Sequence, residues 1–362
     1  MSGTSLDGID AVLARFDAEG HPTILSSASV GLTPSLKEEL LALNTSGNDE
    51  LARAAKASNA LVDLYAQAVE QVLTQASLTR EEVMAIGAHG QTVRHCPQDG
   101  YTVQLNAPAR LAELTGINII ADFRSRDVAA GGQGAPLVPM FHAGVFATSH
   151  TRVVLNLGGI ANITILRPHA EPQGFDTGPA NALMDLWCQL HTGDPYDANG
   201  LWGAGGTIDQ DLLDLLLTSE PWFATPPPKS TGRDLFHQAW LEHRLKQCNI
   251  GVSDYSRAQD VQATLRSLTA QTVANAIRTH AHDAKEVFVC GGGAHNGALM
   301  ADLRDLLGYA VEPTDKLGIG TQDVEALAFA WLAWAYQQRI AVSRPAVTGA
   351  RGNRILGACW PA

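Results

Sequence analysis

The sequence predicts an α/β protein of two domains. Three observations carry this. The chain has 362 residues, and a domain usually takes about 150. Strand patterns are followed by alternating helical and strand patterns, the order of an α/β layer fold. A polar glycine turn joined to an outgoing strand occurs twice, about 155 residues apart. The two turns differ in sequence, so this is a weak internal repeat, and two such hairpins could pinch one ligand between two domains.

In chain order, Ile9–Phe16 and Ile24–Leu32 read as strands after the turn Gly3-Thr4-Ser5-Leu6-Asp7-Gly8. Thr33 and Pro34 read as an N-cap and first helical position, with Leu36, Leu40 and Leu43 on one face. Glu50–Gln75 forms a longer helix, with Leu61, Leu64, Ala68 and Val72 at helical spacing. Short strands near Val83–Gly87 and Tyr101–Leu105, a helix over Pro108–Thr115 and a buried strand Ile117–Ala121 follow. Gly131–Pro136 concentrates glycine and proline and reads as a linker. The second cycle has strands at Arg152–Leu157 and Asn162–Leu166 around Gly158-Gly159. Helices near Ala180–His191, Asp209–Leu217 and Val261–His282, a strand Val287–Cys290 and an apolar helix Asp323–Gln338 complete it.

Composition excludes several functions. Acidic residues outnumber basic ones, 37 to 25, and a net charge of −12 repels nucleic acid and anionic membrane surfaces. The longest apolar run, Ala326–Tyr336, is too short to span a bilayer. No basic residue precedes Arg15, and Asp7 and Asp10 interrupt any apolar leader, so no signal peptide is expected. Five scattered cysteines without a C-x-x-C fit a reducing cytoplasm and argue against a disulfide framework or cysteine zinc site. H-E-x-x-H, a Walker loop, G-x-G-x-x-G and G-x-S-x-G are all absent.

The 34 glycines are clustered, and the clusters hold the candidate chemistry. Gly3–Asp10 combines small residues, hydroxyls and two carboxylates. It is an ordinary hairpin, or a cradle whose N–H groups meet phosphate while Asp7 or Asp10 lies near hydrated magnesium. Asn156–Asn162 repeats the idea. Gly291-Gly292-Gly293 follows a strand end; it is a helix entry, or a flat shelf for adenine or ribose. Asp176, in the turn Gly174–Asn181 before a helix, is a cap or a general base. His89–His95 and Asp122–Asp127 follow strand ends, where ligands bind in open α/β sheets. Arg124 or Arg126 offers a cation for a carboxylate substrate, or belongs to a self-neutralising loop. Lys229–Arg233 reads as a mobile lid or a surface turn.

Taken together these segments are specific. GTSLDGID from Gly3, HGQT from His89, Asp122-Phe123-Arg124, GGQGAPLVP from Gly131, Asn156–Asn162, Gly174–Asn181, PKSTGR from Pro228, DVQAT from Asp260, Cys290–Asn296 and Glu325–Ala333 occur in this order. Over Met1 to Pro361 the chain resembles the anhydro-N-acetylmuramic acid kinases, bacterial enzymes of peptidoglycan recycling.

The resemblance implies the two-domain actin-like ATPase fold of sugar kinases, heat-shock-70 chaperones and actin, with an interdomain cleft. Residues 1–135 with about 345–362 would form the first domain and 136–344 the second. It implies that Gly3, Thr4, Ser5, Leu6, Asp7, Gly8, Ile9 and Asp10 form the first phosphate loop, and Asn156, Gly158 and Gly159 the second. Gly291, Gly292 and Gly293 match the adenosine motif, and Asp176 the catalytic aspartate. Gln91, Thr92, Arg124 and Asp127 fall on the sugar side, and Glu325 could reach the sugar. The implied reaction uses ATP, magnesium and water to open the 1,6-anhydro ring, giving N-acetylmuramic acid 6-phosphate. The magnesium ligands are not identified, and a homodimer is an expectation of the resemblance alone. In this fold a central strand precedes the first loop, whereas Met1 and Ser2 precede Gly3 here; a start assigned at an internal methionine is the expectation. The rival readings are an ordinary amino-sugar kinase and a non-catalytic nucleotide-binding module.

Overall fold

The computed structural model describes residues 1–3, 6, 8–232 and 235–362. In chain order they form β1 (Gly8–Phe16), β2 (Pro22–Gly31), α1 (Pro34–Ala42), α2 (Glu50–Ala76), β3 (Ile86–Ala88), β4 (Gln91–Cys96), β5 (Tyr101–Leu105), α3 (Pro108–Thr115), β6 (Ile119–Ala121), α4 (Ser125–Ala129) and α5 (Pro139–Phe146). The chain continues with β7 (Arg152–Leu157), β8 (Ile160–Leu166), β9 (Gln173–Pro179), α6 (Asn181–Thr192), α7 (Gln210–Thr218), α8 (Gln238–Gln247), α9 (Ala258–His280), β10 (Glu286–Cys290), α10 (Gly297–Leu307) and β11 (Ala310–Pro313). It ends with α11 (Asp323–Gln337), α12 (Pro345–Thr348) and β12 (Ala358–Trp360). Contacts divide it into two units, residues 1–145 with 322–362, and residues 146–321.

In the first unit β1 and β2 form an antiparallel hairpin from Gly8↔Gly31 to Phe16↔Pro22. β3 and β6 are parallel, β12 closes that sheet antiparallel to β6, and β4 and β5 make a second hairpin. Thr33 caps α1 as its sequence demands, its Oγ1 accepting from Leu36 N at 3.3 Å. α2 buries Leu61, Val62, Tyr65, Ala68 and Val72 on one face, and the first four join Ile9, Ala88, Leu111 and Ile119 in the core. α11 packs on β1, β3 and β6. Its approach requires Gly87, where a Cβ would overlap the Phe329 carbonyl. A cavity of about 90 Å³ lies in this unit beside β1 and β3, lined by Ile9, Val12, Ala68, Val72, Ile86 and Ala326 among others.

The second unit is built on a five-stranded sheet of order β11-β10-β7-β8-β9. β10 is parallel to both β7 and β11, while β7, β8 and β9 form an antiparallel meander. Val153, Leu155, Ile163, Ile165, Val287 and Val289 are wholly or almost wholly buried in it. α9 packs against β8 and β9, and its Thr269 hydroxyl donates to Pro179 O at 3.0 Å.

Several expectations shift. Gly174–Asn181 is no turn: residues 173–179 are the strand β9, because pairing with β8 overrides the turn propensity of its glycines and proline. Pro179 is tolerated at the end of an edge strand, where no ladder donor is required. Residues 91–96, most of the polar cluster that follows a strand end, are themselves the strand β4. The unit boundaries fall at 145/146 and 321/322, so α11 belongs with the first unit through its packing on β1, β3 and β6. The expected linker Gly131–Pro136 therefore lies inside that unit. It is tied down by Asp127, whose buried carboxylate accepts from Gly134 N at 2.8 Å, from Thr348 Oγ1 at 2.7 Å and from the Ser343 hydroxyl.

Candidate active site

In the second unit, the ends of β7 and β10 bring two of the glycine clusters together. β10 pairs with β7 up to Cys290↔Asn156, so Gly291 begins its turn beside Asn156 and Leu157. Gly291 has φ +81°, and a Cβ there would lie 2.8 Å from the Leu157 carbonyl oxygen. Only glycine meets both demands. Its N–H donates to Thr321 O at 2.9 Å, and α10 starts just beyond, capped by Asn296 Oδ1 on Leu299 N at 3.0 Å.

The β7–β8 turn is held by the helix that follows β9. Gly158 O accepts from Asn181 N at 3.0 Å, and Gly159 O accepts from Ala180 N at 3.0 Å and Ala182 N at 3.1 Å. Asn181 Nδ2 adds a bond to Leu157 O at 2.9 Å. A trans peptide sets its C=O and N–H antiparallel, so the Gly159 N–H, sharing a peptide with Gly158 O, points away from α6. The turn thus uses its carbonyls to cap a helix and turns an N–H outward, the arrangement that suits an anion.

Asp176 lies mid-strand in β9, opposite Asn162 of β8, which in turn faces Asn156 of β7. Directly opposed residues share a sheet face, so Asn156, Asn162 and Asp176 form a polar row across three strands. The Asp176 side chain is buried at 9 % exposure. Its N–H donates to Lys229 O at 3.1 Å, and Thr231 N donates to its Oδ2 at 2.8 Å. Lys229 Nζ donates to Phe223 O at 3.0 Å and sits 4.2 Å from the Trp222 ring centroid. Burial lowers the Lys229 pKa, while the negative charge of Asp176 opposes that shift.

The first unit holds the other candidates. Thr4, Ser5 and Asp7 lie outside the described residues. Gly3 O accepts from Leu6 N at 3.3 Å, and a Ser2↔Ile9 bridge with Asp10 N→Met1 O at 3.0 Å closes the turn below Gly8. The Met1 ammonium donates to Asp10 O at 2.7 Å; burial lowers its pKa to about 6 against the pull of the Asp10 and Glu325 charges. Gln91 is buried and accepts from the Ser2 hydroxyl, and Thr92 Oγ1 accepts from Gln104 Nε2 at 3.2 Å.

Arg124 Nη2 lies 2.9 Å from His89 Nε2, and Arg124 Nη1 donates to Gly134 O at 2.7 Å. His89 Nδ1 lies 3.2 Å from Ser2 O. Burial first, then the Arg124 charge, holds His89 well below the usual histidine range, so the neutral ring donates at Nδ1 to Ser2 and accepts at Nε2. Arg124, His89, Ser2 and Gln91 thus form one chain reaching the base of the first turn. Asp127 stands apart: with no exposure and three donors on its carboxylate, it organises the 131–134 loop.

Residue type and spacing do not single out His89, Lys229 or Thr231, which the structure places against Arg124 and Asp176. Lys229 and Thr231 belong to a stretch that reads as a lid or surface turn and to the PKSTGR segment of the resemblance, and nothing in the spacing ties them to Asp176. His89 sat in a quoted motif, and its burial beside Arg124 was the missing signal.

Two compact α/β units define the class: one carries a strand-borne carboxylate in a sheet whose strand ends bear glycine turns, the other a chain linking a partly buried arginine to a buried histidine. The model of the family described as anhydro-N-acetylmuramic acid kinase matches residues 1–362. Anhydro-N-acetylmuramic acid kinases of Bordetella pertussis (59 % identical), Burkholderia lata (54 %) and Chromobacterium violaceum (51 %) are similar over 100 % of this chain and 95 %, 95 % and 98 % of theirs. The chain belongs to the anhydro-N-acetylmuramic acid kinase family. Among solved structures, the activator of 2-hydroxyisocaproyl-CoA dehydratase from Clostridium difficile with bound ADPNP has a TM-score of 0.45 at 12 % identity, over 91 % of this chain and 96 % of that one. A ROK family glucokinase from Streptomyces griseus in complex with glucose and AMPPNP has 0.37 at 15 %, over 89 % and 98 %. Among the described residues no helix is long and apolar enough to cross a membrane.

Proposed function

We propose that Asp176 is the general base with which this kinase opens the ring of 1,6-anhydro-N-acetylmuramic acid while phosphorylating O6 with ATP. The products are N-acetylmuramic acid 6-phosphate and ADP. The observation that carries the assignment is the buried, strand-held carboxylate of Asp176, fixed at Oδ2 by the Thr231 N–H. A base must be held within reach of the proton it takes, and a strand holds it better than a loop.

In this reading Asp176 accepts a proton from water as the water oxygen bonds to the anomeric carbon. The bond from that carbon to the bridging oxygen breaks, and the bridging oxygen bonds to the γ-phosphorus as the bond to ADP breaks. One carboxylate serves because the leaving oxygen of the first displacement is the nucleophile of the second. The rest of the protein positions groups and offsets charge.

The Gly291 turn, with no room for a Cβ, and the outward Gly159 N–H suit ATP: Gly291–Gly293 would lie under the adenosine, and Asn156, Gly158 and Gly159 would meet phosphate oxygens. Family resemblance gives Gly3 to Asp10 the role of first phosphate loop, in the two-domain actin-like ATPase fold. Magnesium would supply neutralisation of phosphate charge. Gln91, Thr92, Arg124 and Glu325 would line the sugar side, with the Arg124 guanidinium the cation for the lactyl carboxylate. ATP use and cell-wall sugar recycling fit the cytoplasm.

The test is incubation with ATP, magnesium and 1,6-anhydro-N-acetylmuramic acid, following the sugar by mass spectrometry. A product heavier by one water and one phosphoryl group is expected. Phosphorylation of the open sugar alone would make the protein an ordinary amino-sugar kinase. ATP binding with neither product would make it a nucleotide-binding module.

A further inference from the structure

The segment Trp222 to Thr231 meets β9, the last strand of the second unit's sheet, at Asp176 through Lys229 and Thr231. Trp222 Nε1 donates to Ser230 O at 3.1 Å, and Lys229 Nζ donates to Phe223 O at 3.0 Å and Trp222 O at 3.4 Å. Trp222 N donates to Glu220 Oε1 at 3.2 Å, while Glu220 Oε2 accepts from Trp240 Nε1 at 2.9 Å and from Arg244 Nη2 at 3.1 Å. Stacked Phe223 and Phe236, with centroids 5.6 Å apart, fill the space behind. The far end of this assembly is the pair of bonds to Asp176: its N–H to Lys229 O, and Thr231 N to its Oδ2.

We infer that Lys229 and Trp222 are positioning residues, forming with Thr231 a clasp that fixes the Asp176 carboxylate for proton abstraction. Lys229 touches no reacting atom in this scheme. Its ammonium bridges the two ends of the clasp, and the clasp delivers the Thr231 N–H. Its half-buried charge also favours ionised Asp176, since a cation acts more strongly across a partly desolvated gap than in water. The inference rests on Asp176 being the base.

The test is steady-state kinetics of the full chain with ATP, magnesium and the anhydro sugar. Lys229→Met keeps the chain length and its packing on Trp222 but removes the donors and the charge. Trp222→Phe keeps an aromatic ring but removes the bond to Ser230 and shrinks the ring face under the Lys229 ammonium. Each is expected to lower kcat by about tenfold or more, because a small misplacement of a catalytic group has that effect, with both KM values within about twofold. Lys229→Arg should recover most of the lost kcat. Unchanged kcat in both variants overturns the clasp, as does an effect confined to rising KM. If Lys229→Met does not fold, Trp222→Phe decides. Asp176→Asn separates the two readings. Full activity there removes the base assignment itself, whereas an inactive Asp176→Asn beside normal clasp variants removes only the clasp.

Discussion

Asn162 and Asp176 oppose each other across β8 and β9, at the one place where that pairing shifts register, between Ala161 and Asn162. A bulge bends a strand and re-aims the side chains beside it. Here it lies next to the carboxylate assigned to proton abstraction, and the Thr177 hydroxyl bonds across it to Ala161 O at 3.3 Å. The carboxylate's direction is therefore a property of the sheet, refined by the Thr231 N–H.

Asp176→Asn preserves the shape of the side chain and an acceptor for Thr231 N but removes the proton acceptor. Turnover should fall by about 10²–10⁴-fold, the usual worth of a general base, with ATP affinity unchanged. Product mass spectrometry beside ATP titration checks this; a variant with near-normal turnover contradicts the assignment.

Gly291→Ala forces a Cβ against the Leu157 carbonyl at a residue with φ +81°. A cost of about 1–3 kcal/mol in stability is expected, together with a raised KM for ATP and little change in KM for the sugar. Thermal unfolding and substrate titrations measure both. A normal ATP KM would separate this turn from nucleotide binding.

Asp127→Ala strands the Ser343 and Thr348 hydroxyls and the Gly134 N–H that its carboxylate satisfies. Buried donors left without acceptors cost about 1–3 kcal/mol each, so urea unfolding should show a loss of roughly 3 kcal/mol or more. Asp127→Asn, which keeps an acceptor, should lose less. Equal stability of all three proteins would remove the organising role.

Stability should fall below about pH 6.5. Burial lowers His142 from 6.5 to about 3, and burial with the Arg124 charge holds His89 well below 6.5. Above 6.5 both histidines are neutral folded or unfolded. As pH drops, the unfolded chain takes up protons that the folded chain refuses, so stability is lost between the unfolded and folded values, by about 1.4 kcal/mol per pH unit for His142. Denaturant melts from pH 7.5 to 5, repeated on His142→Gln, should show a flatter curve in the variant; parallel curves would contradict it.

The regular elements were legible because their signals are local. Thr33-Pro34 opens α1 and Pro108 opens α3 at the expected residues, and β7 spans Arg152–Leu157 as its apolar run indicates. β9 was illegible because two glycines and a proline in seven residues speak for a turn, and only its neighbour β8 makes it a strand. α11 was given to the wrong side for a similar reason: an apolar helix packs on whichever sheet is offered, and no local pattern names β1 and β3. In the site, Asp176 and the glycine turns could be picked out by residue type. The Lys229–Thr231 contacts cross more than fifty residues and depend on tertiary pairing that spacing does not encode.

Cys290, Asn156, Asn162 and Asp176 stand in one register across β10, β7, β8 and β9. Neighbouring strands lie about 4.8 Å apart, so the sheet works as a ruler: three steps, or about 14 Å, separate the Gly291 turn from Asp176. No side-chain exchange can lengthen that interval, because it is written in backbone hydrogen bonds. Change of substrate in such a scaffold must therefore come from what is hung on the ruler's marks and not from their spacing.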